Sequence, residues 1–201
     1  MCPMIASRLK APVTAVITPT CRFLLKCGLT PNALTIFGAF GSVAASLYFF
    51  SRGDFFVGTV VVALFALSDL FDGTMARLSE QGSTRWGALN DSTLDRITDA
   101  AMCIGVLLYF FDSPTSSLTV MLTLYVLVTG ALIPYIRARA ESLGIECSVG
   151  IAERAERLII LLVATGLYGL GVELALNVAL VVLSIIGTIT ISQRLIVVAR
   201  S

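Results

Sequence analysis

Apolar residues run along this chain in six long blocks, separated by short polar or glycine-containing turns. The blocks cover about 33–50, 55–76, 88–111, 118–140, 152–170 and 174–198. Each approaches the ~20 apolar residues that a helix needs to cross a hydrocarbon core of ~30 Å. The turns are Ser51–Asp54, Asp112–Ser117, the polar stretch Glu141–Ile151, and Gly171–Glu173. Thr30 and Pro31 mark a helix start, with Thr30 as cap and Pro31 in the first helical position. Residues 1–30 read differently. Arg8, Lys10, Pro12, Pro19, Arg22 and Lys26 break any continuous apolar core, so a cleavable signal peptide is not expected. Val13, Val16, Ile17, Phe23, Leu24 and Leu25 form one apolar side, which predicts an interfacial amphipathic helix with its basic residues toward lipid headgroups. The fold class expected is all-α: a polytopic membrane protein of six transmembrane helices. With no internal repeat, residues 1–201 read as a single membrane domain with 1–30 as its juxtamembrane segment.

Composition agrees. Apolar residues make up 57% of the 201 and charged residues 13%. A mean hydropathy of +0.92 is too high for a soluble domain. A net charge of +1 gives no reason to expect a nucleic-acid partner. The five cysteines show neither metal-type pairing nor a disulfide framework. Histidine is absent, which removes Ser-His-Asp and Cys-His machinery. The only lysines are Lys10 and Lys26, so aspartate is the default general base. Arg52 alone of the 14 basic residues falls in a turn on the far side from the N-terminus. The positive-inside rule then places both termini and the 141–151 connection on the cytoplasmic face of the cell membrane.

Against that background four acids stand out at the ends of the second and third blocks. Asp69 and Asp72 are three apart, and Asp91 and Asp95 are four apart, so on helices each pair shares a face. Ionised side chains beside membrane spans are costly and are functional by default. Four carboxylates at one depth repel one another, and divalent cations relieve that repulsion. An all-oxygen donor set favours Mg²⁺, Mn²⁺ or Ca²⁺ over zinc. Gly73, Ala76 and Gly87 allow close approach of a helix or ligand. Arg77 is placed to neutralise a phosphate, and Ser83, Thr84 and Arg85 add donors. Asp99, one turn past Asp95, either tunes this site or bonds a neighbouring helix. A different reading of the acids, as the ion site of a cation transporter or channel, requires them near the bilayer midplane. Their position at helix ends argues against it.

The pattern Asp69-x-x-Asp72-Gly73-x-x-Ala76-Arg77, nine residues, then Gly87-x-x-x-Asp91-x-x-x-Asp95 resembles the signature of the CDP-alcohol phosphatidyltransferases. The resemblance covers nearly the whole chain, including Leu29-Thr30-Pro31-Asn32. It implies a six-helix membrane enzyme, commonly a homodimer, that passes a phosphatidyl group from a CDP-linked lipid to a hydroxyl and releases CMP. It also implies that Asp69, Asp72, Asp91 and Asp95 hold two Mg²⁺ ions, with Mn²⁺ as substitute, and that Asp95 is the general base. Pro31, Asn32, Ala33 and Leu34 would touch the pyrophosphate. Asp69, Gly73, Arg77 and either Ser83 or Thr84 would hold the CDP part of CDP-diacylglycerol.

The acceptor is decided elsewhere. Arg137, Arg139, Arg154, Arg157 and Arg194 cluster near the cytoplasmic ends of the last three blocks. Several guanidiniums facing one pocket suit a phosphorylated acceptor; the plainer account is topology plus pairing with Glu141, Glu153 and Glu156. The runs Tyr135–Glu141, Glu153–Leu158 and Gln193–Leu195 resemble the bacterial phosphatidylinositol-phosphate synthase branch of that family, which implies inositol phosphate as acceptor. The alternative acceptor is glycerol 3-phosphate, giving phosphatidylglycerophosphate.

Overall fold

The computed structural model describes residues 17–78, 84–111 and 117–201, and among them every regular element is helical. The amphipathic helix expected over residues 1–30 lies partly outside the described residues; Ser83 and residues 112–116 lie wholly outside. Residues 17–26 form α1. The rest follow as α2 Pro31–Phe49, a 3₁₀ turn Phe50–Arg52, α3 Phe55–Ala66, α4 Ser68–Leu78, α5 Arg85–Phe110, α6 Ser117–Ser142, α7 Arg154–Gly169 and α8 Glu173–Arg200.

The helix starts follow local chemistry. Thr30 Oγ1 accepts from the Ala33 N–H at 3.2 Å, so α2 begins at Pro31. Thr84 does the same for α5, accepting from the Gly87 N–H at 2.9 Å. Glu153 and Glu156 form a reciprocal capping box at the start of α7. Gly53 closes the turn after α2 with φ +84°, a conformation that a side chain would strain.

Among the described residues four stretches are long and apolar enough to cross a membrane: Pro31–Arg52, Phe55–Leu78, Ser117–Ser142 and Glu173–Arg200. Six such blocks were expected. α7 has only 16 residues, and the first half of α5 carries Asp91, Asp95, Arg96 and Asp99. The stretch Phe55–Leu78 is not one uninterrupted helix either. At Leu67 the ladder tightens, with the Leu70 N–H bonding the Leu67 carbonyl at 3.0 Å, and α4 starts anew at Ser68. Large apolar side chains remain on the surface, Phe40 and Phe111 each at 75% exposure, as lipid-facing helices require.

The chain divides into two compact units, one drawn from Met1–Ser42 and Val62–Thr98, the other from Val43–Val61 and Asp99–Ser201. In the first, α2 meets the junction of α3 and α4 through missing side chains. A Cβ on Gly38 would overlap the Ser68 side chain, and one on Gly41 would enter the Phe65 ring. Such contact fixes the start of the helix that carries Asp69 and Asp72. The Cys21 thiol, fully buried, donates to the Phe71 carbonyl at 3.6 Å and so ties α1 to α4. Burial pushes that thiol's pKa up, with the charge of Arg77 opposing, so it stays protonated and inert.

In the second unit Gly105 lies against the Ser46 carbonyl and Gly169 against the Phe56 backbone. Phe50, Phe55, Tyr109, Phe110 and Tyr168 form one aromatic cluster. Hydroxyls bridge the helices where no water competes: Thr59 with Thr165 at 2.8 Å, Thr119 with Asn177 at 2.7 Å, and Tyr125 with Thr188 at 2.7 Å.

Candidate active site

The first unit holds a pocket of about 820 Å³ lined by the ends of four helices, with Leu25 and Lys26 from α1. α2 contributes Pro31, Asn32 and Thr35; α4 contributes Asp72, Gly73 and Ala76; Thr84 with α5 contributes Gly87, Ala88 and Asp91. Residues far apart in sequence thus meet because α4 and α5 both turn their motif ends toward the first turn of α2.

Asp72 is 7% exposed, unusual for a carboxylate. Thr35 Oγ1 lies 2.5 Å from Asp72 Oδ2 and 3.1 Å from the Pro31 carbonyl. A hydroxyl has one proton, and the charged acceptor at the shorter distance takes it. The bond fixes Asp72 through one oxygen and orients the carboxylate at the pocket. Thr35 was not among the residues singled out from sequence. Its signal is spacing: four residues after Pro31, it falls on the same face of α2.

The glycines differ in what they do. A Cβ on Gly73 would meet nothing within 4 Å, so this glycine leaves pocket space open. A Cβ on Gly87 would press on Asn32 Oδ1 at 3.0 Å and Thr84 Oγ1 at 3.1 Å, so this one lets α5 approach α2. Gly73→Ala is therefore expected to raise helix stability by about 0.5–1 kcal/mol while weakening whatever fills the pocket. Thermal unfolding in detergent, read beside the KM for the nucleotide-linked lipid, checks both signs.

Asp69 lies on α4, one turn before Asp72. Among the described residues Ala33, Leu34, Arg77 and Asp95 are not part of the lining. Arg77 Nη2 donates to Thr74 Oγ1 at 3.0 Å. Asp95 follows Asp91 by one turn of α5 and lies 3.5 Å from Arg96 Nη2. Thr84 spends its hydroxyl oxygen on the α5 cap, so its side chain is already engaged at the pocket's rim. Among the described residues no three acid or thiol groups converge tightly enough to hold an ion unaided. The donor set nonetheless fits a hard cation. Asp72 and Asp91 offer carboxylate oxygens to one cavity open at Gly73, and Mg²⁺-type ions complete such sites with water and substrate phosphates.

The arginine set belongs to the second unit and is mostly engaged. Arg137 Nε donates to Glu141 at 2.8 Å, both half exposed. Arg139 reaches Ser142 Oγ at 3.4 Å. Arg154 forks onto Asp99, with Nε 3.2 Å from both carboxylate oxygens. This is the neighbouring-helix bond that was one of two readings of Asp99. Arg157 packs near Gly130 of α6. Arg194 is 9% exposed and donates to the carbonyls of Val149 and Ile133. The Cys147 thiol donates to Arg194's own carbonyl at 3.9 Å, so Arg194 clasps the α6–α7 connection to α8.

Comparison with known proteins gives a consistent picture. The family model described as CDP-alcohol phosphatidyltransferase matches residues 28–191. A phosphatidylinositol phosphate synthase of Streptomyces avermitilis is 40% identical over 198 residues, covering 95% of this chain and 81% of the relative. The crystal structure of Mycobacterium tuberculosis phosphatidylinositol phosphate synthase with CDP-DAG bound superposes with a TM-score of 0.85 at 42% identity, covering 94% of each chain. The same protein has been solved in complex with manganese and citrate, again at a TM-score of 0.85 and 42% identity, over 90% of this chain and 88% of that one. The two acid pairs, the open glycine between them and this agreement along nearly the whole length lead to one conclusion: the chain belongs to the CDP-alcohol phosphatidyltransferases, a family of enzymes of phospholipid synthesis.

Proposed function

We propose that this protein moves the phosphatidyl group of CDP-diacylglycerol to a hydroxyl of inositol phosphate, giving phosphatidylinositol phosphate and CMP. The observation that carries the reading is the pocket in which buried Asp72 and exposed Asp91 both line open space at Gly73. It is supported by 42% identity to a synthase of that name solved with CDP-DAG.

Asp69, Asp72, Asp91 and Asp95 would hold two Mg²⁺ ions, or Mn²⁺ in their place. Bound there, such ions neutralise the pyrophosphate and the charge that develops on departing CMP. Asn32, with Pro31, Ala33 and Leu34 beside it, positions the pyrophosphate at the first turn of α2. Gly73 admits the nucleotide, and Arg77 with Ser83 or Thr84 holds it. Asp95 takes the proton of the acceptor hydroxyl. The acceptor oxygen bonds to the phosphorus that carries the lipid, the bond from that phosphorus to CMP breaks, and CMP leaves. Most of the rate comes from positioning and charge neutralisation.

Arg157 leads the acceptor-phosphate set, with Arg137 and Arg139 more exposed beside the 141–151 connection and Arg194 holding that connection in place. Arg157→Ala is expected to raise the acceptor KM by about 10–100-fold, the value of a charge-assisted hydrogen bond, and to leave the lipid KM nearly unchanged. An equal rise in both undoes the assignment. In the membrane, α5 and α7 complete six spans, α1 belongs to an interfacial helix, and the motif ends face the cytoplasm. The enzyme works as a homodimer.

The test is CMP release from CDP-diacylglycerol in mixed micelles, with acceptor and metal varied. Release that requires both Mg²⁺ and inositol phosphate supports the reading. Release with glycerol 3-phosphate but not inositol phosphate replaces it with a phosphatidylglycerophosphate synthase.

A further inference from the structure

One ion pair in the second unit stands on the helix that also carries Asp91 and Asp95. Asp99 lies four residues past Asp95 on α5. Both of its oxygens accept from Arg154 Nε at 3.2 Å, and Oδ1 also accepts from Nη2 at 3.0 Å. Arg154 is the first residue of α7, so the fork joins the flank of one helix to the first turn of another. The two side chains are only 21% and 27% exposed. A fork-matched pair that is mostly covered fixes orientation in a way that a solvated surface pair does not.

The turn it grips is short and stiff. Its backbone is closed by the Glu153–Glu156 capping box, with the Glu153 N–H donating to Glu156 at 3.0 Å. Arg157 follows Arg154 by three residues and shares its face. Arg157 Nε is buried, and Nη1 stands 4.0 Å from where a Cβ on Gly130 would sit. Gly130 is also the residue whose carbonyl loses its helical donor to Pro134 inside α6. The base of the Arg157 guanidinium is therefore covered beside α6, and its backbone belongs to the turn that the fork holds.

We infer that Asp99 and Arg154 are a positioning pair: by locking the first turn of α7 they aim Arg157 at the acceptor's phosphate, and Arg154 itself does not bind the acceptor. The inference rests on the reading above in which Arg157 takes that phosphate. It explains why an arginine that sequence alone grouped with phosphate ligands points its guanidinium at a carboxylate.

The test is a double-variant cycle on the full chain in nanodiscs: unaltered protein, Asp99→Asn, Arg154→Gln, and both together. CMP release is measured against acceptor and against CDP-diacylglycerol. The acceptor KM is expected to rise about tenfold in either single variant and no further in the double. The lipid KM is expected to stay within about twofold of the unaltered value. A direct phosphate ligand behaves otherwise: Arg154→Gln then raises the acceptor KM while Asp99→Asn, which releases Arg154, does not. That result overturns the inference, and so does a parallel rise in both KM values, which marks general loosening. Should Asp99→Asn not fold, Asp99→Glu keeps the charge and displaces the fork. A selective rise in acceptor KM there supports the pair and an unchanged acceptor KM overturns it. Failure of the functional reading looks different, because the unaltered protein then shows no CMP release that depends on inositol phosphate. The cycle is in that case run with glycerol 3-phosphate, whose phosphate makes the same demand.

Discussion

Asp95→Asn is expected to lower kcat by about 10²–10⁴-fold, the usual contribution of a positioned general base, with the fold intact. The amide has the shape of the carboxylate but cannot take a proton from a hydroxyl. No histidine exists to replace it, and both lysines lie before residue 27. Asp95 is part-buried on α5, one turn past Asp91, with Arg96 Nη2 3.5 Å away. CMP release gives the rate, helical circular dichroism gives the fold, and Mn²⁺ titration separates loss of base from loss of metal. A variant with near-normal kcat removes Asp95 from the chemistry.

Asp72→Asn is expected to remove turnover altogether, with cation affinity down by at least about tenfold. Asp72 is the most buried of the acids whose side chains are described. Its environment tolerates the amide, since Thr35 can donate to the remaining carbonyl oxygen, so unfolding is not the expected cause. What goes is the negative charge at the wall of the pocket. Thr35→Val offers a graded comparison. It keeps the carboxylate but removes this hydrogen bond to it, and about tenfold loss of activity is expected from an outer hydrogen bond of this kind. Full activity of Thr35→Val beside inactive Asp72→Asn would mean that the 2.5 Å bond does not set the carboxylate's direction.

The acids were legible because charge beside an apolar block is expensive and shows in any reading of the chain. Helix ends were legible where a residue type has a local reason to stand there. Thr30 and Pro31 begin α2 as their chemistry requires, and the last block, expected over 174–198, is α8 Glu173–Arg200. Which faces pack was not legible. A lipid-facing side and a protein-facing side are both apolar, so the helical period that marks a soluble core is absent. For that reason Gly38 against Ser68, and Thr35 against Asp72, had no signature in the hydrophobic pattern. The interruption at Leu67 was missed on similar grounds: Phe65-Ala66-Leu67-Ser68 contains no proline or glycine to announce it. The arginines were legible as a group but not in their partners. Their clustering in sequence was plain, yet carboxylates and carbonyls already engage Arg137, Arg154 and Arg194.

The claim on which the rest depends is that the carboxylates of α4 and α5 bind divalent cations for a nucleotide-linked lipid. Electron paramagnetic resonance of Mn²⁺ added to the purified protein in nanodiscs measures this directly, without and with CDP-diacylglycerol. Bound Mn²⁺ that tightens when the lipid is added, and that is lost in both Asp72→Asn and Asp91→Asn, is the predicted result. Mn²⁺ bound equally well by the unaltered protein and by both variants would contradict it.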